Sequence, residues 1–157
     1  MEVERESMDY DVVVVGAGPS GLSTAIKLKQ LNPEINVCVL EKGSEVGAHI
    51  LSGNVFETRA LDELIPDWRS KDSPIKTKVT KEKFLFLSKK GSFNWPTWLL
   101  PSVQKNHKNY IISLANLCRW LAEQAENLGV EIFPGFPASE VLFNEDGSVK
   151  GLSLIHM

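Results

Sequence analysis

Residues 11–21, with the sequence DVVVVGAGPSG, constrain the fold more than any other stretch of the chain. Four consecutive valines form a short β-branched run, which is typical of a central parallel strand buried on both faces. The run leads into Gly16-x-Gly18-x-x-Gly21, and a helix-forming segment follows at residues 22–31. This order predicts the strand, turn and helix that open a βαβ nucleotide-binding unit.

Each glycine of the turn is expected to have its own mechanical role. Gly16 makes the tight turn out of the strand, Gly18 lets a pyrophosphate approach the backbone, and Gly21 lets the helix lie close to the sheet. The start of the helix also offers unpaired N–H groups and a partial positive charge to the phosphates. The predicted dinucleotide-binding residues of the turn are Gly16, Ala17, Gly18, Pro19, Ser20 and Gly21.

A carboxylate follows at the spacing that such a unit requires. Residues 35–40, INVCVL, indicate a second strand that ends at Glu41, twenty residues after Gly21. An acidic side chain at this position accepts hydrogen bonds from the ribose hydroxyls of an adenosine. The alternative is a glutamate at a strand end that only faces water.

The chain then makes a long excursion before the next strong helix, which is predicted to begin near Ser113, about 70 residues after Glu41. This excursion holds a predicted helical piece at residues 58–64, a loop through residues 66–74, and a hairpin of residues 84–88 and 92–95. A compact NAD-binding unit needs no such excursion, so the pattern favours FAD, a larger cofactor.

The last third predicts one further parallel strand. A helix carries Leu114, Leu117, Leu121, Ala125 and Leu128 on one stripe, a third short strand follows at residues 130–133, and a hairpin is expected at 140–143 and 149–154. A doubly wound sheet has more parallel strands than three, so we expect the front part of a longer protein. We predict a mobile tail at residues 1–9 and a partial cofactor domain at residues 10–157, interrupted at about 79–105 by the hairpin insertion.

Composition excludes several functional classes. The net charge of −3 and the pI near 5.6 argue against nucleic-acid binding. The sequence contains no recognisable Ser/His/Asp arrangement and no metal-ligand cluster, so we predict no catalytic residue and no metal ligand. Cys38 and Cys118 are expected to be buried, inert thiols. His49 follows Glu41 in a glycine-rich loop, where it either approaches a flavin or is an ordinary surface residue.

Aromatic residues and leucines are concentrated between residues 84 and 100, with several lysines close by. Rings at the headgroup level with cations beside them are typical of a protein that rests on a membrane surface. Packing of an aromatic-rich hairpin against a neighbouring domain is the alternative. The predicted membrane-contact residues are Phe84, Phe86, Trp95, Trp98, Leu99 and Leu100.

The glycine turn together with Glu41 and Lys42 resembles the FAD-binding domains of the glutathione-reductase type. Four further runs occur in order: EKGSEVGAHILSG at 41–53, PDW at 66–68, NHKNY at 106–110 and LAEQAENLGVEIFPGFPASEVLFNEDGSVKG at 121–151. With these runs the chain resembles the electron-transfer flavoprotein–ubiquinone oxidoreductase family. The resemblance implies an α/β fold, a Rossmann-like FAD-binding domain that is incomplete and carries an inserted β-hairpin.

The resemblance also implies a function. The whole enzyme would take electrons from reduced electron-transfer flavoprotein and pass them to ubiquinone, using FAD and a [4Fe–4S] cluster. It would be peripheral on the inner respiratory membrane, at the bacterial cytoplasmic face or the mitochondrial matrix face. The cluster requires four thiolates and this chain has two cysteines, so its ligands are expected outside the chain.

By the same resemblance, further residues are expected near FAD. Glu41 and Lys42 would lie at the adenosine, the loop residues Gly47, Ala48, His49 and Ser52 would face the flavin, and the backbone of Ile132 and Phe133 would lie beside the adenine. Two alternatives remain open: the FAD domain of a flavin monooxygenase or isoprenoid reductase, and an inactive nucleotide-binding fragment. The 157-residue chain is expected to be inactive as an enzyme by itself.

Overall fold

The computed structural model describes residues 7–154 and divides the chain into two compact units. The first unit comprises residues up to 50 and from 115 onward, and the second comprises residues 51–114. Of the predicted N-terminal tail, residues 1–6 lie outside the described residues, and residues 7–9 form neither helix nor strand. His156 also lies outside the described residues.

Helices and strands are interspersed along the described residues of the chain. In chain order they are β1 (Val12–Val15), α1 (Pro19–Leu31), β2 (Val37–Glu41), β3 (Ser52–Phe56), α2 (Arg59–Leu64), β4 (Thr77–Lys78), β5 (Phe84–Ser88), β6 (Gly91–Trp95), β7 (Tyr110–Ser113), α3 (Leu114–Glu126), β8 (Glu131–Pro134), β9 (Ala138–Phe143) and β10 (Val149–Leu154). Two short 3₁₀ turns, Thr97–Leu99 and Ser102–Gln104, follow β6.

The first unit is built on a parallel sheet with the strand order β1-β2-β8. Val14 lies opposite Val39, which in turn lies opposite Ile132. All of β2 before Glu41 is buried, as expected for the middle strand of a parallel sheet. The buried sides of α1 and α3 complete the core with Leu22, Ala25, Ile26, Leu117, Cys118, Trp120, Leu121, Ala122 and Ala125. The predicted βαβ unit is thus confirmed.

The prediction that β1 is buried on both faces is wrong. Val13 and Val15 are 37% and 60% exposed, whereas Val12 and Val14 are half-buried. Within residues 7–154, β1 pairs with β2 and with no second strand, so it lies at an edge of the sheet. A run of valines therefore does not distinguish a central strand from an edge strand whose second face is open.

Helix α1 begins at Pro19, three residues earlier than predicted, because proline fits the first turn of a helix, where no backbone N–H is needed. It ends at Leu31 as expected, and the N–H of Asn32 donates to the Leu28 carbonyl oxygen at 2.9 Å. The burial of two of its side chains does not follow their polarity. Leu31 is exposed, and Lys29 is buried because its Nζ donates to the carbonyl oxygens of residues 33 and 35.

The second unit contains a short antiparallel sheet with the order β3-β7-β4. The sequence predicts no strand at β3 or at β7, although Val55 pairs with Ile111 and Phe56 with Tyr110. The predicted helical piece at residues 58–64 is α2. The hairpin predicted at residues 84–95 is formed by β5 and β6, which are joined at Lys89 and Lys90.

The remaining elements follow the prediction closely. Helix α3 begins directly after Ser113, but it ends at Glu126, so that Leu128 lies beyond it and is exposed. Strands β9 and β10 form the expected antiparallel hairpin, whose turn contains Gly147 at φ +82°. Cys38 and Cys118 are both buried and unbridged, as predicted.

Candidate dinucleotide-binding site

The turn after β1 needs its first glycine for a conformational reason. Gly16 has φ +101°, a backbone conformation that L side chains rarely adopt. Its N–H donates to the carbonyl oxygen of Leu40 at 2.7 Å, so the turn begins where the end of β1 is still bonded to β2. The glycine turn is therefore anchored on the middle strand of the sheet.

The second glycine lies at the entrance to α1 and faces open space. Gly18 is the residue that precedes the helix, with φ −80° and ψ 177°, and a Cβ built there meets no atom within 4 Å. Among the residues that the structure describes, no side chain caps this end of α1, and its first turn contains no acidic residue. The N–H groups of that turn are thus available to an anionic ligand, which the helix dipole also favours.

The third glycine is required by packing. A Cβ on Gly21 would overlap the carbonyl oxygen of Gly16 and would come within 3.2 Å of a side-chain methyl carbon of Val14. Only glycine at this position lets the first turn of α1 lie against β1. The three predicted roles are thus separated in the structure: positive φ at Gly16, open space at Gly18 and close packing at Gly21.

Glu41 reaches the glycine turn from the end of β2. Its Oε2 accepts a hydrogen bond from the Ala17 N–H at 2.9 Å, and its Oε1 accepts one from the Gly43 N–H at 2.7 Å. The carboxylate is half-buried. Each oxygen keeps a second lone pair, so two backbone bonds leave capacity for ribose hydroxyls. The sequence spacing located Glu41 correctly but gave no indication of these two backbone donors.

Strand β8 and the residues after it lie beside Glu41. Ile132 and Phe133 pair with Val39 and Leu40, and both are half-buried. The N–H of Phe136 donates to the Glu41 carbonyl oxygen at 3.0 Å, and that of Gly135 donates to the Gly43 carbonyl oxygen at 2.7 Å. The carboxyl ends of β1, β2 and β8 thus meet at one edge of the sheet, where ligands of open α/β folds bind.

The other predicted cofactor residues are distributed over both units. Lys42, Ala48 and His49 are exposed in the first unit, and Gly47 is buried there with φ +86°. Pro19 and Ser20 form the first turn of α1. Ser52 is the first residue of β3 and belongs to the second unit.

Buried thiols and a tyrosine hydroxyl have perturbed pKa values without forming a reactive cluster. Burial raises the pKa of the Cys38 thiol and raises that of Cys118 to about 11, which leaves both protonated and unreactive at neutral pH. Tyr10 donates to Glu131 Oε2 at 3.0 Å, and burial together with this bond raises its pKa to about 12. Within residues 7–154, no three His, Cys, Asp or Glu side chains are grouped so that they could hold a metal ion.

The hairpin of the second unit carries an exposed aromatic surface. Cross-strand pairing sets Phe84 opposite Trp95 and Phe86 opposite Phe93, so these four rings share one side, which we call the aromatic hairpin face. The rings of Phe86 and Trp95 are 5.9 Å apart, centroid to centroid. All four residues are exposed, although each ring contacts another.

The residues that follow the hairpin differ in exposure. Trp98 and Leu99, in the first 3₁₀ turn, are 75% and 51% exposed, whereas Leu100 is buried. None of the helices described between residues 7 and 154 has the length and apolar character needed to cross a bilayer.

Comparison with known sequences shows extensive similarity. A sequence model of the Thi4 family matches residues 1–64. A rice (Oryza sativa subsp. japonica) protein named electron transfer flavoprotein-ubiquinone oxidoreductase, mitochondrial, is 58% identical over 153 residues, which cover 95% of this chain and 26% of that protein. The Pseudomonas aeruginosa protein of the same enzyme name is 57% identical over 96% of this chain and 28% of its own length.

Solved structures with the same fold are more distant in sequence. A geranylgeranyl bacteriochlorophyll reductase-like protein from Thermoplasma acidophilum superimposes with a TM-score of 0.68 at 23% identity, over 94% of this chain and 35% of that one. THI4 from Thermovibrio ammonificans superimposes with a TM-score of 0.55 at 17% identity, over 93% and 46% of the two chains. The predicted fold class, a Rossmann-like α/β domain of the FAD-binding type with an inserted hairpin, is confirmed.

These findings also confirm the resemblance that the sequence motifs indicated. The chain spans about a quarter of the length of the curated relatives it matches. Over nearly all of its own length, the chain is a sequence relative of the electron transfer flavoprotein-ubiquinone oxidoreductases of plants, animals and bacteria.

Proposed function

We propose that this chain is the N-terminal FAD-binding part of an oxidoreductase that passes electrons from reduced electron-transfer flavoprotein to ubiquinone. The names of relatives that are 49–58% identical to it support the reaction. The cofactor assignment rests on one observation: the Ala17 N–H of the glycine turn donates a hydrogen bond to the Glu41 carboxylate at 2.9 Å.

The residues present fit the adenosine diphosphate half of FAD. The diphosphate lies over Gly18 and the first turn of α1, where space is open and backbone N–H groups have no side-chain cap. Glu41 accepts hydrogen bonds from the ribose hydroxyls, and Lys42, the next residue in the chain, is exposed beside it. The adenine lies against the backbone of Ile132 and Phe133, at the neighbouring strand end.

When bound, the flavin supplies the electron-transfer chemistry, and the protein supplies binding, orientation and electrostatic tuning. The residues of this chain therefore act by holding FAD, and no acid or base among them is required. Gly47, Ala48, His49 and Ser52 are the proposed neighbours of the flavin half. We propose that the chain alone does not complete the reaction, because its relatives are about four times longer.

Contact with a membrane surface is the second part of the proposal. The aromatic hairpin face presents four contacting rings, and Leu85 and Leu87 on the opposite side of the hairpin are also exposed. Between residues 76 and 108 the sequence has eight lysines and one acidic residue, Glu82. Exposed rings and leucines surrounded by cations favour insertion at the headgroup level of an anionic bilayer. Trp98 and Leu99, which follow the hairpin in the chain, are exposed and belong to the proposed contact, whereas Leu100 is buried and is left out of it.

The location follows from these two parts. We propose a peripheral position on the inner respiratory membrane, on the bacterial cytoplasmic face or the mitochondrial matrix face; the rice relative is named mitochondrial. We further propose that a [4Fe–4S] cluster of the whole enzyme takes its thiolates from outside this chain. Such a cluster needs four cysteines, and both cysteines here are buried and protonated.

The cofactor assignment is tested by refolding the chain with excess FAD and separating free from bound flavin. The wild-type chain is expected to retain a yellow chromophore. The Gly18→Val variant is expected to lose it, because a branched side chain would occupy the diphosphate position. Gly151→Val is the matched control, since a Cβ on Gly151 also meets no atom within 4 Å. A colourless wild-type protein would overturn the FAD assignment, and a yellow Gly18→Val variant would overturn the position of the diphosphate.

The membrane assignment is tested by cosedimentation with vesicles of phosphatidylcholine and phosphatidylglycerol. The double variant Trp98→Asp with Leu99→Asp is expected to bind several-fold more weakly than the wild type. Phe143→Asp with Val149→Asp is the control, because these two residues are also well exposed, at 61% and 66%, pair with each other across β9 and β10, and lie in the other unit. Equal binding by the first variant and the wild type would overturn the assignment of Trp98 and Leu99 to a membrane contact.

A further inference from the structure

The loop of residues 43–50, which follows Glu41, is attached to other elements of the first unit at its start and again at Glu45 and Gly47. At its start, the Gly43 N–H donates to Glu41 Oε1 and the Gly43 carbonyl oxygen accepts from Gly135. Further along, Glu45 Oε1 accepts a hydrogen bond from Arg119 Nη2 on α3 at 3.0 Å. The loop therefore connects the carboxylate of Glu41 to the exposed side of α3.

Two features fix the place where the loop meets α3. Gly47 packs so closely there that a Cβ on it would lie 2.9 Å from the Ala115 carbonyl oxygen. The guanidinium of Arg119 also donates from Nη1 to Asn116 Oδ1 at 3.1 Å, which holds it along the helix. The ion pair of Glu45 and Arg119 thus joins a loop and a helix that already have one close backbone contact.

The contacts form a continuous path to the glycine turn. Arg119 holds Glu45, which lies two residues after Gly43 in the loop; Gly43 donates to one oxygen of Glu41, and Ala17 donates to the other. The carboxylate has its orientation set by these two N–H groups. A loop free to move away from α3 would carry the Gly43 N–H with it and allow the carboxylate to rotate.

We propose that Arg119 and Glu45 are positioning residues for the carboxylate of Glu41, and that they tune how strongly the site discriminates in favour of a ribose hydroxyl. This inference rests on the proposed binding of FAD through its adenosine diphosphate half. Arg119 does not touch the nucleotide. Its contribution is to keep the Gly43 N–H, and through it Glu41, in the geometry that receives the sugar.

The expected effect is moderate because both side chains of the ion pair are partly exposed to solvent. Such pairs contribute a fraction of a kcal/mol to about 1 kcal/mol, which corresponds to a change in binding of about two- to fivefold. The effect is also expected to shrink at high ionic strength, since salt screens exposed charges. Overall folding is expected to change little.

The experiment compares the affinities of ADP and 2′-deoxy-ADP, measured by calorimetry on the refolded chain. The wild type is expected to prefer ADP, because Glu41 accepts from the hydroxyl that 2′-deoxy-ADP lacks. In Arg119→Gln and Glu45→Gln the ratio of the two affinities is expected to fall about two- to fivefold. The exchanged pair, Glu45→Arg with Arg119→Glu, is expected to restore part of the ratio. Lys27→Gln, at an exposed position of α1, is the control for loss of a positive charge.

The ratio distinguishes positioning from a general loss of structure. A merely structural role would weaken binding of both nucleotides equally and would lower the unfolding temperature without changing the ratio. In Glu41→Gln the preference for ADP is expected to be small already, and adding Arg119→Gln is expected to change it no further. An unchanged ratio in Arg119→Gln would overturn this inference and leave the proposed function standing, whereas no binding of ADP or FAD by the wild type would overturn the proposed function itself.

Discussion

Single replacement of each glycine in the turn by alanine is expected to separate binding from stability. In Gly21→Ala the new Cβ would overlap the backbone carbonyl of Gly16, which no side-chain rotation can relieve. Alanine gains up to about 1 kcal/mol in helix propensity over glycine, but the first turn of α1 must move off β1. Because overpacking costs typically 1–3 kcal/mol and here involves backbone, we expect net destabilisation of about 1–2 kcal/mol.

Gly18→Ala is expected to behave in the opposite way. The residue has a negative φ and its Cβ would meet nothing, so the folded chain accommodates it. The entropy lost by the unfolded chain stabilises by about 0.4–1 kcal/mol, and a poorer helix cap offsets this. Without flavin, stability should therefore stay within about 0.5 kcal/mol of the wild type. Affinity for FAD should fall about 10- to 100-fold, because the methyl group overpacks the diphosphate position by about 1–3 kcal/mol.

Gly16→Ala is expected to destabilise through backbone strain alone. Its φ of +101° is unfavourable for alanine and costs about 1–3 kcal/mol, although the position is open. Urea unfolding of the flavin-free variants and titration of flavin fluorescence measure the two effects separately. The reasoning would be refuted if Gly21→Ala were as stable as the wild type, or if Gly18→Ala lost as much stability as Gly21→Ala.

Two further predictions concern side chains outside the turn. Trp68 is buried, and its Nε1 donates a hydrogen bond to Asp62 Oδ1 at 2.8 Å. Trp68→Phe should therefore lower the free energy of unfolding, measured in urea, by about 1–3 kcal/mol. An unchanged midpoint of urea unfolding would contradict a stabilising role for this bond. The pKa of Tyr10 is raised to about 12, so the folded chain keeps a proton that the unfolded chain loses near pH 10. The stability contributed by Tyr10 is therefore complete below about pH 10 and is lost as the pH rises toward 12. In Tyr10→Phe, the unfolding temperature should fall less steeply over this alkaline range than it does in the wild type.

The sequence predicted those parts of the fold whose signals are local. The valine run, the glycines and the distance to Glu41 lie within one βαβ unit, where a helix of fixed rise sets the spacing, so β1, α1 and β2 were all located. The hairpins at β5–β6 and β9–β10 were located for the same reason, since their strands alternate around a short turn. Each of these elements is specified by residues close together in the chain.

The failures concern features that depend on distant residues. Ser52 pairs with Ser113 and Thr77 with Ile111, so neither the register nor the existence of that sheet has a local pattern. Lysine side chains ordinarily reach water, yet Lys29 is buried, and its ammonium group donates to two carbonyl oxygens beyond the end of α1. Val13 and Val15 were expected in the core because valine is apolar, but their burial depends on what pairs with and covers β1.

Glu41 shows why the position of a residue, predicted from the sequence, still leaves its hydrogen bonds unknown. The spacing predicts a ribose acceptor, but in the structure the same carboxylate also accepts from Ala17 and Gly43, and its own carbonyl accepts from Phe136. An amide in its place would keep one acceptor oxygen and would turn an NH₂ group toward one of the two N–H donors. Loss of FAD affinity in Glu41→Gln would therefore combine a lost sugar contact with a loosened turn. Discrimination between ADP and 2′-deoxy-ADP separates these contributions, because only the sugar contact depends on the hydroxyl.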